Sequence, residues 1–119
     1  MNSYQELKVW QRAIDLAVDC YRQTQSFPKQ EVYGLTSQIR RAATSIAANI
    51  AEGYGREVTG SFIQFLRISQ GSLKELETHM LIAHRIGLLD EDEFRKTTER
   101  CEEIGKMIRA LIRSLQERQ

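Results

Sequence analysis

The stretch GSFIQFLRISQGSLKELETHMLIAHRIG, residues 60–87, decides the fold. Within it Phe62, Leu66, Ser69, Leu73, Leu76, Met80, Ala83 and Gly87 step alternately by four and by three, a heptad-like spacing held over almost four repeats. A half-buried strand would alternate with a period of two, and no segment of the chain does so. Gly87 reads as a stop, because glycine readily takes the left-handed cap conformation. Leu88 and Leu89 then fold back onto the same core.

Working outward, three more segments carry the same period. Leu7, Trp10, Ile14, Ala17 and Tyr21 form a stripe that ends at Ser26-Phe27-Pro28, since proline disfavours a helical residue before it. Leu35, Ile39, Ala42, Ile46, Asn49 and Gly53 form the next, with Gly53 and Gly55 expected to supply its stop. Phe94, Thr97, Cys101, Ile104, Ile108, Leu111 and Leu115 form the last. Asp90-Glu91-Asp92-Glu93 opens it and Lys106, Arg109, Arg113 and Arg118 close it, complementing the helix dipole at both ends. The pattern predicts helices near residues 5–25, 32–54, 58–87 and 90–117, joined by short connections. The expected fold is all-α, an antiparallel up-down four-helix bundle occupying residues 1–119 as a single domain.

Composition sets the outer bounds. The chain has 119 residues, 41% hydrophobic and 28% charged, the balance of a globular protein rather than a disordered one. Its net charge of +1 gives no global electrostatic case for nucleic acid or anionic lipid. No uncharged apolar run approaches the roughly 20 residues of a membrane span. The start, Met1-Asn2-Ser3-Tyr4-Gln5-Glu6, lacks the basic residues and apolar segment of a signal peptide. Cys20 and Cys101 are far apart and without a C-x-x-C spacing, so they read as reduced core thiols. A cytoplasmic location without membrane contact is expected.

The second helix is compositionally unusual. Between Arg41 and Glu52 it carries no charge and is rich in small residues: Ala42, Ala43, Ser45, Ala47, Ala48 and Ala51. Either this helix is buried inside its own bundle, or its second face is covered by another subunit, with Ala47 as the probe position. Arg41, Ser45, Asn49, Glu52 and Arg56 fall at relative angles of about 0, 40, 80, 20 and 60°, one polar strip. Ser72, Glu75 and His79 are its counterpart on the third helix. Ser45, Asn49, Glu52, Ser72 and Glu75 read as a structural polar network, and a ligand- or RNA-contacting strip is the competing reading.

Enzyme chemistry finds no support. Glu75 and His79 share a face, but His84 lies about 140° away from His79, and neither histidine follows a glutamate by three. No metal or other cofactor is expected. Neither cysteine has a local histidine in a turn, and Gly53, Gly55 and Gly60 do not spell a phosphate-binding loop. Basic residues are mostly interleaved with acids. Within residues 35–56, however, Arg40, Arg41 and Arg56 meet only Glu52, and Arg67 follows on the next helix. Repeated around a ring, that cluster would become a substantial positive surface.

Specific blocks carry a family resemblance. They are Leu7-Lys8-Val9-Trp10, Phe27-Pro28 with Glu31, Tyr33, Gly34 and Leu35, then Gln38-Ile39-Arg40-Arg41-Ala42-Ala43 with Ser45 and Ile46. Asn49-Ile50-Ala51-Glu52-Gly53 with Gly55 and Arg56 completes that block, and Gly71-Ser72 with Glu75-Leu76-Glu77-Thr78 follows. The chain resembles the four-helix-bundle family of proteins encoded in intervening sequences of bacterial 23S ribosomal RNA genes, often mislabelled as a ribosomal protein. The resemblance covers about residues 5–90, and the last helix matches only in pattern. Ala48 and Gln70 depart from it, standing where other small or apolar residues are usual. It implies an antiparallel bundle assembled as a homopentamer, similar to the accessory protein of diversity-generating retroelements, which binds RNA and a reverse transcriptase. Two functions follow as expectations. One is a non-catalytic oligomer binding structured RNA through Arg40, Arg41, Arg56 and Arg67. The alternative is a structural or protein-interaction oligomer, or an adaptor for a partner such as a reverse transcriptase, without RNA binding of its own.

Overall fold

Each apolar stripe becomes a helix: α1 Lys8–Thr24, α2 Leu35–Gly55, α3 Thr59–Arg85 and α4 Glu91–Gln116. The computed structural model describes residues 3–119. Single 3-10 turns at Tyr4–Glu6 and Lys29–Glu31 precede α1 and α2, and no strand occurs among the described residues. Each helix packs on its sequence neighbour and α4 closes onto α1, while diagonal pairs stay apart. The pairs Arg12–Glu103 and Asp19–Arg100 run in opposite chain directions, as do Ser45–Ser72 and Gly53–Phe62. The molecule is therefore an antiparallel up-down bundle, 46 × 22 × 20 Å.

The core follows from the spacing, with one shift of phase. In α1 the most deeply buried line is Val9, Ala13, Leu16 and Cys20; of the expected line, Ala17 is buried with it, Leu7, Trp10 and Ile14 are half-buried against the core, and Tyr21 remains 43% exposed. Both lines step by three and four, and only packing against α2 and α4 chooses between them. In α3 the expected Leu66, Ser69, Leu73, Leu76, Met80 and Ala83 are all buried. Ser69 sits there because its hydroxyl donates to the Ile46 carbonyl at 2.9 Å, linking α3 to α2. In α4 Thr97, Cys101, Ile104, Ile108 and Leu115 point inward as the pattern requires.

The small residues of α2 divide between two faces. Ala42, Ala43 and Ala47 are buried in the protomer's own core, whereas Thr44 and Ala48 face outward and Ala51 is half-buried. Ala47 is thus a packing position inside the bundle, and Ala48 is the outward position.

Helix ends follow local chemistry. The Glu31 carboxylate accepts from the Leu35 amide at 3.0 Å and caps α2. Asp90 accepts from the Glu93 amide at 2.8 Å and caps α4. Gly87 takes φ +86°, the left-handed stop expected of it. The end of α2 differs from expectation. The helix runs through Gly53 and Gly55, and the left-handed residue is Glu57 at φ 63°. Gly53 serves packing instead: a β-carbon there would lie 2.7 Å from Phe65 Cβ and 3.0 Å from Phe62 Cδ1.

Candidate nucleic-acid interface

The arginines read from the sequence occupy different surroundings. Arg40 turns toward α1, where its Nε donates to Thr24 Oγ1 at 2.9 Å and its guanidinium lies 4.6 Å from the Tyr21 ring centre. Its Nη2 also reaches the Tyr21 carbonyl, so a cation meets the C-terminal end of α1, where the dipole favours it. Arg41, one residue on, points about 100° away, is exposed and donates to Gln38 Oε1 at 2.8 Å. Arg56 pairs with Glu52 at 2.8 Å and lies 5.0 Å from the Phe65 ring centre. Arg40 and Arg56 stand at opposite ends of α2, about 24 Å apart at 1.5 Å per residue. Arg67 is exposed on α3 with no ion-pair partner among the described residues.

Of the five residues read as a network, three are joined. Ser45 Oγ lies 2.9 Å from Ser72 Oγ, and Asn49 Nδ2 donates to the Ser45 carbonyl at 2.8 Å and to Ser45 Oγ at 3.0 Å. The serine pair links α2 to α3 half-way along their contact, and the two Asn49 bonds, both within α2, brace Ser45. Glu52 is engaged by Arg56 instead. Glu75 lies 4.0 Å from His79 Nε2, beyond hydrogen-bond reach, and that nitrogen is buried without a partner.

The remaining titratable groups sit elsewhere. His84 is held in the α3–α4 turn, with Nδ1 3.0 Å from the Leu89 carbonyl oxygen, Nε2 2.9 Å from Glu91 and its ring stacked on Phe94. Both cysteines are free and buried. Burial pushes the Cys20 thiol up to about 12 and raises that of Cys101 as well, the reverse of what a nucleophile needs. A cavity of about 390 Å³ between α1 and α4 is lined by charges of both signs, already crossed as Arg12–Glu103 and Arg100–Asp19.

Sequence reading treated Lys106, Arg109 and Arg113 only as complements to the α4 dipole. All three are exposed and, among the described residues, have no ion-pair partner. The sequence signal for them was an absence: residues 104–116 contain no Asp or Glu.

A crystal structure of a protein of unknown function from the S23 ribosomal protein family of Bacteroides thetaiotaomicron shares the fold, with a TM-score of 0.79. It is 24% identical, and the match covers 87% of this chain and 97% of that one. No curated protein matches the chain. Among the described residues no helix is long and apolar enough to cross a membrane. The family model for the 23S rRNA-intervening sequence protein matches residues 5–110, which include the first three helix stripes, the fourth as far as Ile108 and the α2–α3 serine contact, and the chain belongs to that family.

Proposed function

We propose that this protein is a non-catalytic, cytoplasmic homo-oligomer, a pentamer, that binds structured RNA. The observation that carries the RNA reading is membership over residues 5–110 in a family described by its link to 23S rRNA intervening sequences. Exposed guanidinium groups at Arg41 and Arg67 add to it, since such groups bind phosphate with two parallel hydrogen bonds. Assembly is supported by the outward face of α2 and α3. Thr44 and Ala48 present a small, uncharged surface on α2. Ile68, 44% exposed, is level with Ala48 on α3, and Ile82 and Ile86, 44% and 57% exposed, stand toward and just past the C-terminal end of α3.

A titration with structured RNA at two salt concentrations tests the reading. Affinity is expected to fall steeply as salt rises, because neutralised phosphates release counterions. Absence of any salt-sensitive binding would turn the reading to the second function, an interaction oligomer or adaptor for a partner such as a reverse transcriptase. Two observations favour that alternative: Arg40 and Arg56 are already engaged within the protomer, and the exposed isoleucines suit a protein contact.

A further inference from the structure

Two acid-free stretches meet across α3 and α4. Residues 59–74 hold Arg67 and Lys74 but no Asp or Glu, and residues 104–116 hold Lys106, Arg109 and Arg113 but no Asp or Glu. Their register is set by packing. A β-carbon on Gly105 would lie 3.4 Å from Leu73 Cδ2, and one on Gly60 would lie 3.6 Å from Gln119 Nε2. Counting back from Leu73 and forward from Gly105 places Arg67 level with Leu111, between Arg109 and Arg113.

The faces agree with the levels. On α4, Arg100 and Glu103 mark the α1 side through their ion pairs, while Gly105 marks the α3 side. Arg109 and Arg113 follow Gly105 by four and eight residues, so they leave α4 on its α3 side and drift outward by about 40° per step. On α3, Ser69 and Ser72 mark the α2 side, and Arg67 lies about 160° and 140° round from them. Arg67, Lys106, Arg109 and Arg113 are all exposed, and none pairs with a carboxylate among the described residues. Lys74 is the one cation of the stretch that does, with Glu77 at 3.1 Å.

We infer that this α3/α4 strip binds the phosphodiester backbone of RNA, an inference that rests on the RNA reading above and relocates its main contact surface. A near-neutral chain attracts phosphate only where cations stand clear of acids, and along α4 this strip holds no acid between Glu103 and Glu117. Three guanidinium forks side by side suit successive phosphates. Gln64 and Gln70, three residues either side of Arg67, add amide groups able to pair with ribose hydroxyls.

The test compares the unmutated oligomer with Arg67→Gln/Arg109→Gln/Arg113→Gln and with a charge-matched control, Lys8→Gln/Lys29→Gln/Arg85→Gln, whose positions are exposed elsewhere. Affinity for an RNA duplex of about 20 base pairs is read at about 50 and 200 mM salt. The strip variant should bind tenfold or more weakly and lose about 2 to 3 from its salt slope, while the control changes little. Equal losses in both variants, or no loss in the strip variant, would overturn the strip while leaving the RNA reading intact. An unmutated oligomer that binds no RNA at either salt would overturn both. Arg67→Gln and Arg113→Gln singly should each remove about one unit of slope, a readout that does not depend on the triple variant folding.

Discussion

At Gly53 a missing side chain decides how closely two helices approach. Phe65 Cβ cannot swing away as the tip of a flexible side chain could, so a methyl group there forces α2 and α3 apart. Gly53→Ala should cost about 1–3 kcal/mol, read as a lower urea midpoint at unchanged slope. An unshifted midpoint would show that the contact relaxes freely. The buried thiols make a second prediction, in pH. Cys20 holds its proton in the folded state to about 12, and Cys101 is raised too, whereas the unfolded chain releases both near 9. Stability should be intact below about pH 9 and decline as pH rises from there toward 12, by up to about 1.4 kcal/mol per unit for each thiol. Urea melts across that range check it, and both cysteines should resist alkylation at pH 8 until the chain unfolds. Arg40 and Arg41 show the limit of reading neighbours together. Adjacent helical residues diverge by about 100°, so one anchors α1 and the other meets solvent.

Helix interiors were legible from spacing, but their ends depended on which local need prevailed. Sequence reading placed the α2 stop at Gly53 and Gly55, on the general preference for glycine in left-handed caps. Close packing claimed Gly53, and the stop passed to Glu57, a side-chain-bearing residue at φ 63°. Glu57→Gly should therefore stabilise the protein by about 0.5–1 kcal/mol, while Gly87→Ala at φ +86° should destabilise it by about 1 kcal/mol. Opposite shifts in thermal midpoint are the expected result, and a destabilised Glu57→Gly would refute the cap assignment. The entry to α4 needed no correction, because Asp90 and the acids after it satisfy both the amide caps and the dipole.

For the whole molecule, the division of α2 separates a packing position, Ala47, from a surface one, Ala48. If the protein assembles as proposed, Ala48→Glu should dissociate it and leave helicity and the protomer's cooperative unfolding in place, because Ala48 is exposed. Ala47→Glu should unfold the protomer itself, since Ala47 is 4% exposed and an unpaired carboxylate there has no water. Light scattering with circular dichroism distinguishes the two, and a monomeric mass for the unmutated protein at micromolar concentration would refute the assembly proposal. By itself the sequence determined helix number, order, approximate limits and the antiparallel arrangement, because heptad-like stripes, capping residues and short connections are local properties of the chain. The joining of Ser45 and Asn49 was legible too, being one helical turn apart. Only the tertiary structure decided which of two three-and-four lines in α1 enters the core, which alanines of α2 remain outside and which arginines are occupied. It alone brought Arg67 level with Arg109 and Arg113, residues far apart in the chain. Helical periodicity records where each side chain points on its own helix, while neighbours across helices depend on register, which packing at residues such as Gly53 and Gly105 sets.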